Sequence, residues 1–250
     1  MIILLPPSEG KTPAATGPRL DLDALSLPEL TGARAEVLDA LAEVSAAPDA
    51  LDRLGVGAGI AEDVARNTRL TEIPCAPALD TYSGVLYSAL GRLTPTARAR
   101  LGHVWVSSAL FGIVAALDPI PAYRLSMKTR LSGQVLSTWW RTRLTPVLDD
   151  EFAGQLVLDC RSTEYRKSWP GPPEHTAVVD VYTESRGRRT VVSHNAKHTR
   201  GELVGRLLRS RAALPEDFRG LVTAAKRYHA VEFTPPQGRQ PARLDIILPG

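Results

Sequence analysis

Cysteine is nearly absent from this chain, and so are the signatures that would name a chemistry outright. Its two cysteines, Cys75 and Cys160, stand far apart without Cys-x-x-Cys spacing, which excludes a disulfide framework and a zinc ribbon and fits a reducing compartment. No apolar run approaches the roughly 20 residues needed to span a bilayer. The apolar opening has no basic residue before it and runs into Pro6-Pro7 in place of a small-residue cleavage site, so no secretory signal is expected. No Gly-x-Ser-x-Gly elbow, no His-Glu-x-x-His pair and no Gly-x-Gly-x-x-Gly turn after a strand occurs. His194 and His198 share the spacing of one helical face, but no third ligand accompanies them. The expectation is a cytoplasmic protein with no membrane segment, metal centre or resident cofactor.

What is present is a large apolar fraction, 44% of 250 residues, enough to bury roughly 70% of the unfolded surface. The net charge of +3 conceals an asymmetry. Residues 1–121 carry nine Lys or Arg against fourteen Asp or Glu, whereas residues 122–250 carry twenty-one against thirteen. The second half is therefore basic, and mostly through arginine, whose planar fork matches phosphate oxygens. An arginine-rich but ordinary solvated surface would read the same way.

Apolar patterning predicts strands over IILL at 2–5, HVWVSSAL at 103–110 and QLVLDC at 155–160. A hairpin turning near Gly187 and two closing strands, YHAVEF and RLDIILP, are expected after them. Helices are expected from a Thr31 cap through Ala46, in GQVLSTWWRTRLTPVL with a kink or break at Pro146, and in the basic stretch AKHTRGELVGRLLRSRAAL. Shorter helices are expected at 50–54, 59–67, 84–90, 95–101 and 216–225. The fold class expected is mixed α/β: one compact domain over 1–250 with a mixed sheet and surrounding helices.

The segment Ser8-Glu9-Gly10-Lys11-Thr12 after the first strand resembles a phosphate loop, but a Walker loop requires glycine where Leu5 stands. Two clusters mix cations with planar side chains, as nucleic-acid surfaces do. One holds Tyr123, Arg124, Met127, Lys128 and Arg130. The other holds Ser162, Glu164, Tyr165, Arg166, Lys167 and Trp169. Lys197 and Arg200, followed by Gly201, are placed near a helix start, where free amides would help hold an anion. Cys160 reads as a small apolar filler rather than a nucleophile.

LLPPSEGKT, DTYSGVLYSAL, SSALFG with AYRLSMKTRL, STEYRKS and AKHTRG occur in the order seen in the YaaA peroxide-stress family, which this chain resembles over nearly its whole length. The resemblance implies a cytoplasmic protein that limits oxidative damage and free iron, with an unusual α/β fold. It also implies DNA binding through a positive cleft with a helix-hairpin-helix element. Matched to the family are Lys11 and Thr12; Tyr82, Gly84 and Tyr87; Leu110, Phe111 and Gly112 as the hairpin; Tyr123, Arg124 and Met127; Ser162, Glu164, Tyr165 and Lys167; and Lys197, Arg200 and Gly201. Ala109 stands where such a hairpin usually has its first glycine.

Two functions follow. A DNA-binding protein would use the basic half to track phosphate, with Ser8 and Lys128 among its contacts. An enzyme acting on a nucleobase or nucleotide would use Glu164 or Glu9 to move a proton, Lys11 and Arg200 to hold phosphate, and Tyr82 or Tyr165 to stack on the base. Glu164 among Arg161, Arg166 and Lys167 is either a structural ion pair or that acid/base group. Convergence of Lys11, Tyr82, Arg124, Glu164, Lys197 and Arg200 on one groove is what both require.

Overall fold

The structure is a computed structural model that describes residues 1–131, 133–185, 188–191 and 193–250, with side chains at all of these except 185, 188, 191, 193 and 194. Its centre is an eight-stranded mixed sheet. In chain order the strands are β1 (Ile2–Leu5), β2 (Val104–Ser108), β3 (Gly112–Ala115) and β4 (Val157–Asp159), then β5 (Thr176–Ser185), β6 (Arg188–Val191), β7 (Ala230–Thr234) and β8 (Ala242–Pro249). Their order across the sheet is β7-β8-β5-β4-β1-β2-β3, with β6 also paired to β5. The five strands β8, β5, β4, β1 and β2 run parallel, while β3, β6 and β7 are antiparallel to their neighbours.

Continuous apolar runs make the central strands, because parallel strands are covered on both faces. All four residues of β1 are buried. Ile3 is in register with Val104 on one side and Leu158 on the other. The edge strand β7 instead alternates exposed and half-buried residues. The chain leaves β1 to form β2 on one side and returns later to form β4 on the other. At such a switch point the carboxyl ends of two neighbouring strands diverge into a crevice.

The helices are α1 (Thr31–Ala46), α2 (Ala50–Leu54), α3 (Ala61–Arg66), α4 (Ala78–Thr81), α5 (Val85–Leu90), α6 (Pro95–Arg98), α7 (Leu136–Glu151), α8 (Thr163–Arg166), α9 (Ser193–Arg209) and α10 (Phe218–Ala225). Helix α1 buries Val37, Leu38, Leu41 and Val44 as its spacing predicts. Thr31 is not its cap. A 3₁₀ turn over Pro28–Leu30 precedes it, and the Thr31 amide donates to the Pro28 carbonyl, so the helix continues from a turn already formed. Arg34 on the same helix is buried and donates to the carbonyls of Ser26, Leu27, Phe111 and Ile113, clamping the preceding loop to the β2–β3 turn. Helix α7 runs unbroken through Pro146. Trp140, Leu144 and Leu148 anchor it in the core on both sides of the proline, and that burial outweighs the lost bond and clash, about 3 kcal/mol.

The stretch matched to a helix-hairpin-helix differs more. Leu110 and Phe111 form the tight turn between strands β2 and β3, which are antiparallel and joined directly. Ala109, Leu110 and Phe111 are fully buried, and the Trp140 indole donates to the Ala109 carbonyl at 2.8 Å. Gly112 has φ 72°, and a Cβ there would lie 2.7 Å from the Trp140 ring. This is a buried β-turn whose glycine is required by packing. Phe111 and Gly112 have no surface to offer a DNA backbone.

Gly201 has a structural reason of the same kind. Helix α9 crosses α5 so closely that a Cβ on Gly201 would sit 2.2 Å from the Leu86 carbonyl oxygen, and one on Gly205 equally close to that of Leu90. The crossing sets the face of α9 that carries Gly201 and Gly205 against α5, the helix that follows Tyr82.

Candidate functional site: a cleft at the carboxyl edge of the sheet

The crevice at the switch point is a cleft of about 870 Å³. One wall is Pro6–Gly10, the segment leaving β1, and another is Ser83–Tyr87 at the start of α5. Arg124–Ser126 with Lys128, the turn Ser162–Tyr165 after β4, and Lys197 and Arg200 of α9 complete it. Of the six residues expected to converge, Arg124, Glu164, Lys197 and Arg200 line this cleft together. Lys11 and Tyr82 lie behind its wall.

Each wall is held by identifiable bonds. The Ser83 amide donates to Ser8 Oγ at 2.9 Å, and the Tyr87 hydroxyl donates to the Pro6 carbonyl at 2.7 Å, tying the β1 exit to α5. Tyr87 stacks on buried Tyr82 with centroids 5.7 Å apart and planes at 26°, so the ring facing the cleft has a rigid backing. Arg124 is fixed through its backbone, which exchanges two hydrogen bonds with the buried amide of Asn67, at 2.8 and 2.9 Å. Its guanidinium then donates to the Glu9 carbonyl at 3.0 Å and reaches the Glu9 carboxylate at 3.4 Å. Asn67 was not legible as a functional residue; a lone asparagine at a helix end carries no signal.

The turn after β4 is built on a buried ion pair. Arg161 grips Asp159 with two bonds of 2.8 and 2.9 Å, and both side chains are almost wholly buried. The same guanidinium donates to the Trp169 carbonyl at 2.6 Å, closing the loop that presents Ser162, Glu164 and Tyr165. Glu164 pairs with Lys167 at 3.0 Å and accepts from the Ser137 hydroxyl at 3.4 Å, so both carboxylate oxygens are engaged. Of the two readings of this residue, the ion pair is present.

Arg200 donates to the Val179 carbonyl at 2.9 Å and to Asp180 at 3.2 Å. Asp180 also faces Arg166 and Arg243, each at 3.9 Å, leaving three guanidinium groups around one carboxylate. Helix α9 starts at Ser193, so Lys197 and Arg200 fall beyond its first turn rather than beside its free amides, where the sequence pattern places them. His194 lies outside the residues whose side chains are described, and His198 is exposed on α9.

Behind the wall lies a polar cluster in an apolar setting. The hydroxyls of Tyr82 and Tyr123 are 2.9 Å apart, and Tyr123 continues to Ser108 Oγ at 2.8 Å, which accepts from the Phe111 amide. Burial raises Tyr82, Tyr87, Tyr123 and Tyr165 well above the usual phenol range, so all four stay protonated. Lys11 donates to the Ser8 carbonyl at 3.1 Å and places its nitrogen 4.1 Å from the Tyr123 ring centroid and 5.4 Å from that of Tyr82. Burial, with the positive charge of Arg124 adding to it, lowers its pKa from 10.5 to about 7. Lys11 is thus not a standing cation of the cleft. Tyr82, Tyr123 and Met127 are buried and offer no stacking face. Thr12 is exposed and donates its amide to the Thr81 carbonyl at 2.8 Å, pinning the segment beyond Lys11.

The profile of a family described as "Peroxide stress protein YaaA" matches residues 1–232. This chain belongs to the YaaA family. A UPF0246 protein of Streptomyces coelicolor is 39% identical over 99% of this chain and 98% of its own length. Another, of Corynebacterium efficiens, is 43% identical over 81% of this chain and 83% of its own. A third, of Corynebacterium glutamicum strain R, is 39% identical over 90% and 93%. In this YaaA-family chain no described helix is long and apolar enough to cross a membrane. Among its described residues no three His, Cys, Asp or Glu side chains gather as metal ligands.

Proposed function

We propose that this YaaA-family protein acts in peroxide defence as a cytoplasmic DNA-binding protein, working as one domain, and that the strand lies in the cleft at the carboxyl edge of the sheet. The observation that carries the reading is the meeting of Arg124, Lys128, Lys197 and Arg200, from two widely separated stretches of chain, in one cleft. Tyr87 and Tyr165 are partly exposed there and supply planar surface on which bases stack. The two carboxylates in the cleft, Glu9 and Glu164, are each engaged by a cation, which mutes their repulsion of phosphate. Lowered free iron, which the resemblance implies, enters this reading as a consequence rather than as a binding site.

Fluorescence anisotropy with a labelled oligonucleotide across a salt series tests it. Four phosphate contacts give a slope of log K against log salt of roughly −3 to −4. A flat salt dependence, or no binding at low salt, refutes it.

A second reading, an enzyme acting on a nucleobase or nucleotide, is favoured by the position of the cleft. Crevices at such a switch point are where open α/β sheets hold small ligands. Glu164→Gln separates the two: lost turnover with binding retained supports catalysis, and no change in either removes Glu164 from the chemistry.

A further inference from the structure

Lys11 is poorly matched to an ammonium's needs. An ammonium has three donors, yet among the described residues only the Ser8 carbonyl accepts from it, and its remaining faces meet the rings of Tyr123 and Tyr82. It forms no ion pair among the described residues; the charge of Arg124 repels it, and the carboxylates of Asp63 and Glu9 offset that repulsion only in part. A desolvated lysine beside another cation is how proteins prepare an amine nucleophile.

We propose that Lys11 is the amine of an imine-forming site, and that its ligand is an aldehyde carried on a phosphorylated sugar, as in an abasic nucleotide of DNA. The proposal rests on the cleft holding phosphate, as argued above. Lys11 adjoins the Ser8–Gly10 rim of the cleft, whose Ser8 carbonyl the amine touches. That rim is held by the Ser83 amide on Ser8 Oγ and by Arg124, which donates to the Glu9 carbonyl at 3.0 Å and reaches the exposed Glu9 carboxylate at 3.4 Å. A ligand phosphate competing for Arg124 frees Glu9 and loosens the rim. The amine lone pair then attacks the aldehyde carbon, and the carbon–nitrogen bond forms as the carbonyl oxygen takes up a proton. The carbinolamine loses water, made of that oxygen and the two amine hydrogens, and leaves a carbon–nitrogen double bond. No oxidant or reductant is needed. The lowered pKa given above supports the step, since a large share of the amine is neutral at pH 7.5.

Reductive trapping tests this. The full chain is incubated at pH 7.5 with cyanoborohydride and either an oligonucleotide bearing one abasic site or ribose 5-phosphate, and the adduct is mapped over the five lysines. The expected result is an adduct on Lys11 at least about tenfold above that on Lys226, an exposed lysine outside the cleft lining. Its pH dependence has a midpoint near 7 in the unaltered protein, and Lys11→Arg abolishes it. Labelling by both ligands, or by either alone, supports the amine and shows whether the source is DNA or free sugar phosphate. No adduct on Lys11 from either ligand, in protein that binds intact DNA with the expected salt slope, overturns the imine proposal and spares the DNA reading. Labelling of Lys11 by ribose 5-phosphate in protein that binds no DNA does the reverse.

Discussion

Replacing Lys11 with Met removes the amine and keeps most of the side-chain volume, and the structure sets the outcome as a function of pH. The folded pKa is about 7 against 10.5 unfolded. Below pH 7 the lysine is protonated in both states, and the folded protein carries the full cost of a half-buried, desolvated ammonium. Between about pH 7 and 10.5 the unfolded chain binds the extra proton, so stability rises with pH in the unaltered protein and not in the variant. At 1.36 kcal/mol per pH unit, the full cost is on the order of 5 kcal/mol, and the part recovered by pH 9.5 is about 3 kcal/mol. Loss of the bond to the Ser8 carbonyl costs the variant about 1 kcal/mol at every pH. Lys11→Met is therefore expected to be more stable than the parent near pH 6, with its advantage shrinking by about 3 kcal/mol near pH 9.5. Urea unfolding of both proteins at the two pH values measures this. Parallel stability–pH curves would refute the reasoning, because they would mean that Lys11 titrates where an ordinary lysine does.

Other outcomes follow from packing and burial. Gly201→Ala is expected to destabilise by about 1–3 kcal/mol, since its Cβ meets a carbonyl oxygen of α5 rather than a movable side chain; thermal unfolding reads this. Arg161→Ala leaves the Asp159 carboxylate buried without its partner and is expected to cost about 3–5 kcal/mol, seen as a lower urea midpoint, with cleft binding weakened as the 162–165 turn loosens. Burial raises Cys75 to about 11 and Cys160 to about 12, so neither thiol is expected to react with a disulfide reagent or dilute hydrogen peroxide until the protein is unfolded. Mass spectrometry of the native protein after peroxide checks that, and rapid modification of either cysteine contradicts it.

Much of the fold was legible because its central strands and long helices are set by local pattern. IILL and QLVLDC are short, wholly apolar runs, and TGARAEVLDALAEVSA carries its buried stripe at helical spacing. What failed to show in the sequence depends on distant partners. Pro146 reads as a break until the anchoring of α7 at Trp140 and Leu148 is known. Phe111-Gly112 matches a DNA-binding hairpin in residue type, yet the turn is roofed by Trp140, which lies 28 residues further along the chain. The cleft shows the same division. Arg124, Glu164, Lys197 and Arg200 were identifiable as chemistry-bearing residues that could meet, while the pairing of Arg200 with Asp180, the bracket of Asn67 on Arg124 and the placement of the Lys11 amine against the Tyr82 and Tyr123 rings arise only from tertiary approach.

The central claim is that a nucleic acid strand occupies the cleft at the carboxyl edge of the sheet, and photo-cross-linking tests it most directly. A bromodeoxyuridine-substituted oligonucleotide, irradiated with the protein at low salt and mapped by peptide sequencing, is predicted to attach within 84–91 and 162–167, the stretches that carry Tyr87 and Tyr165. Attachment confined to the separate cavity lined by residues between Leu207 and Tyr228 would contradict it.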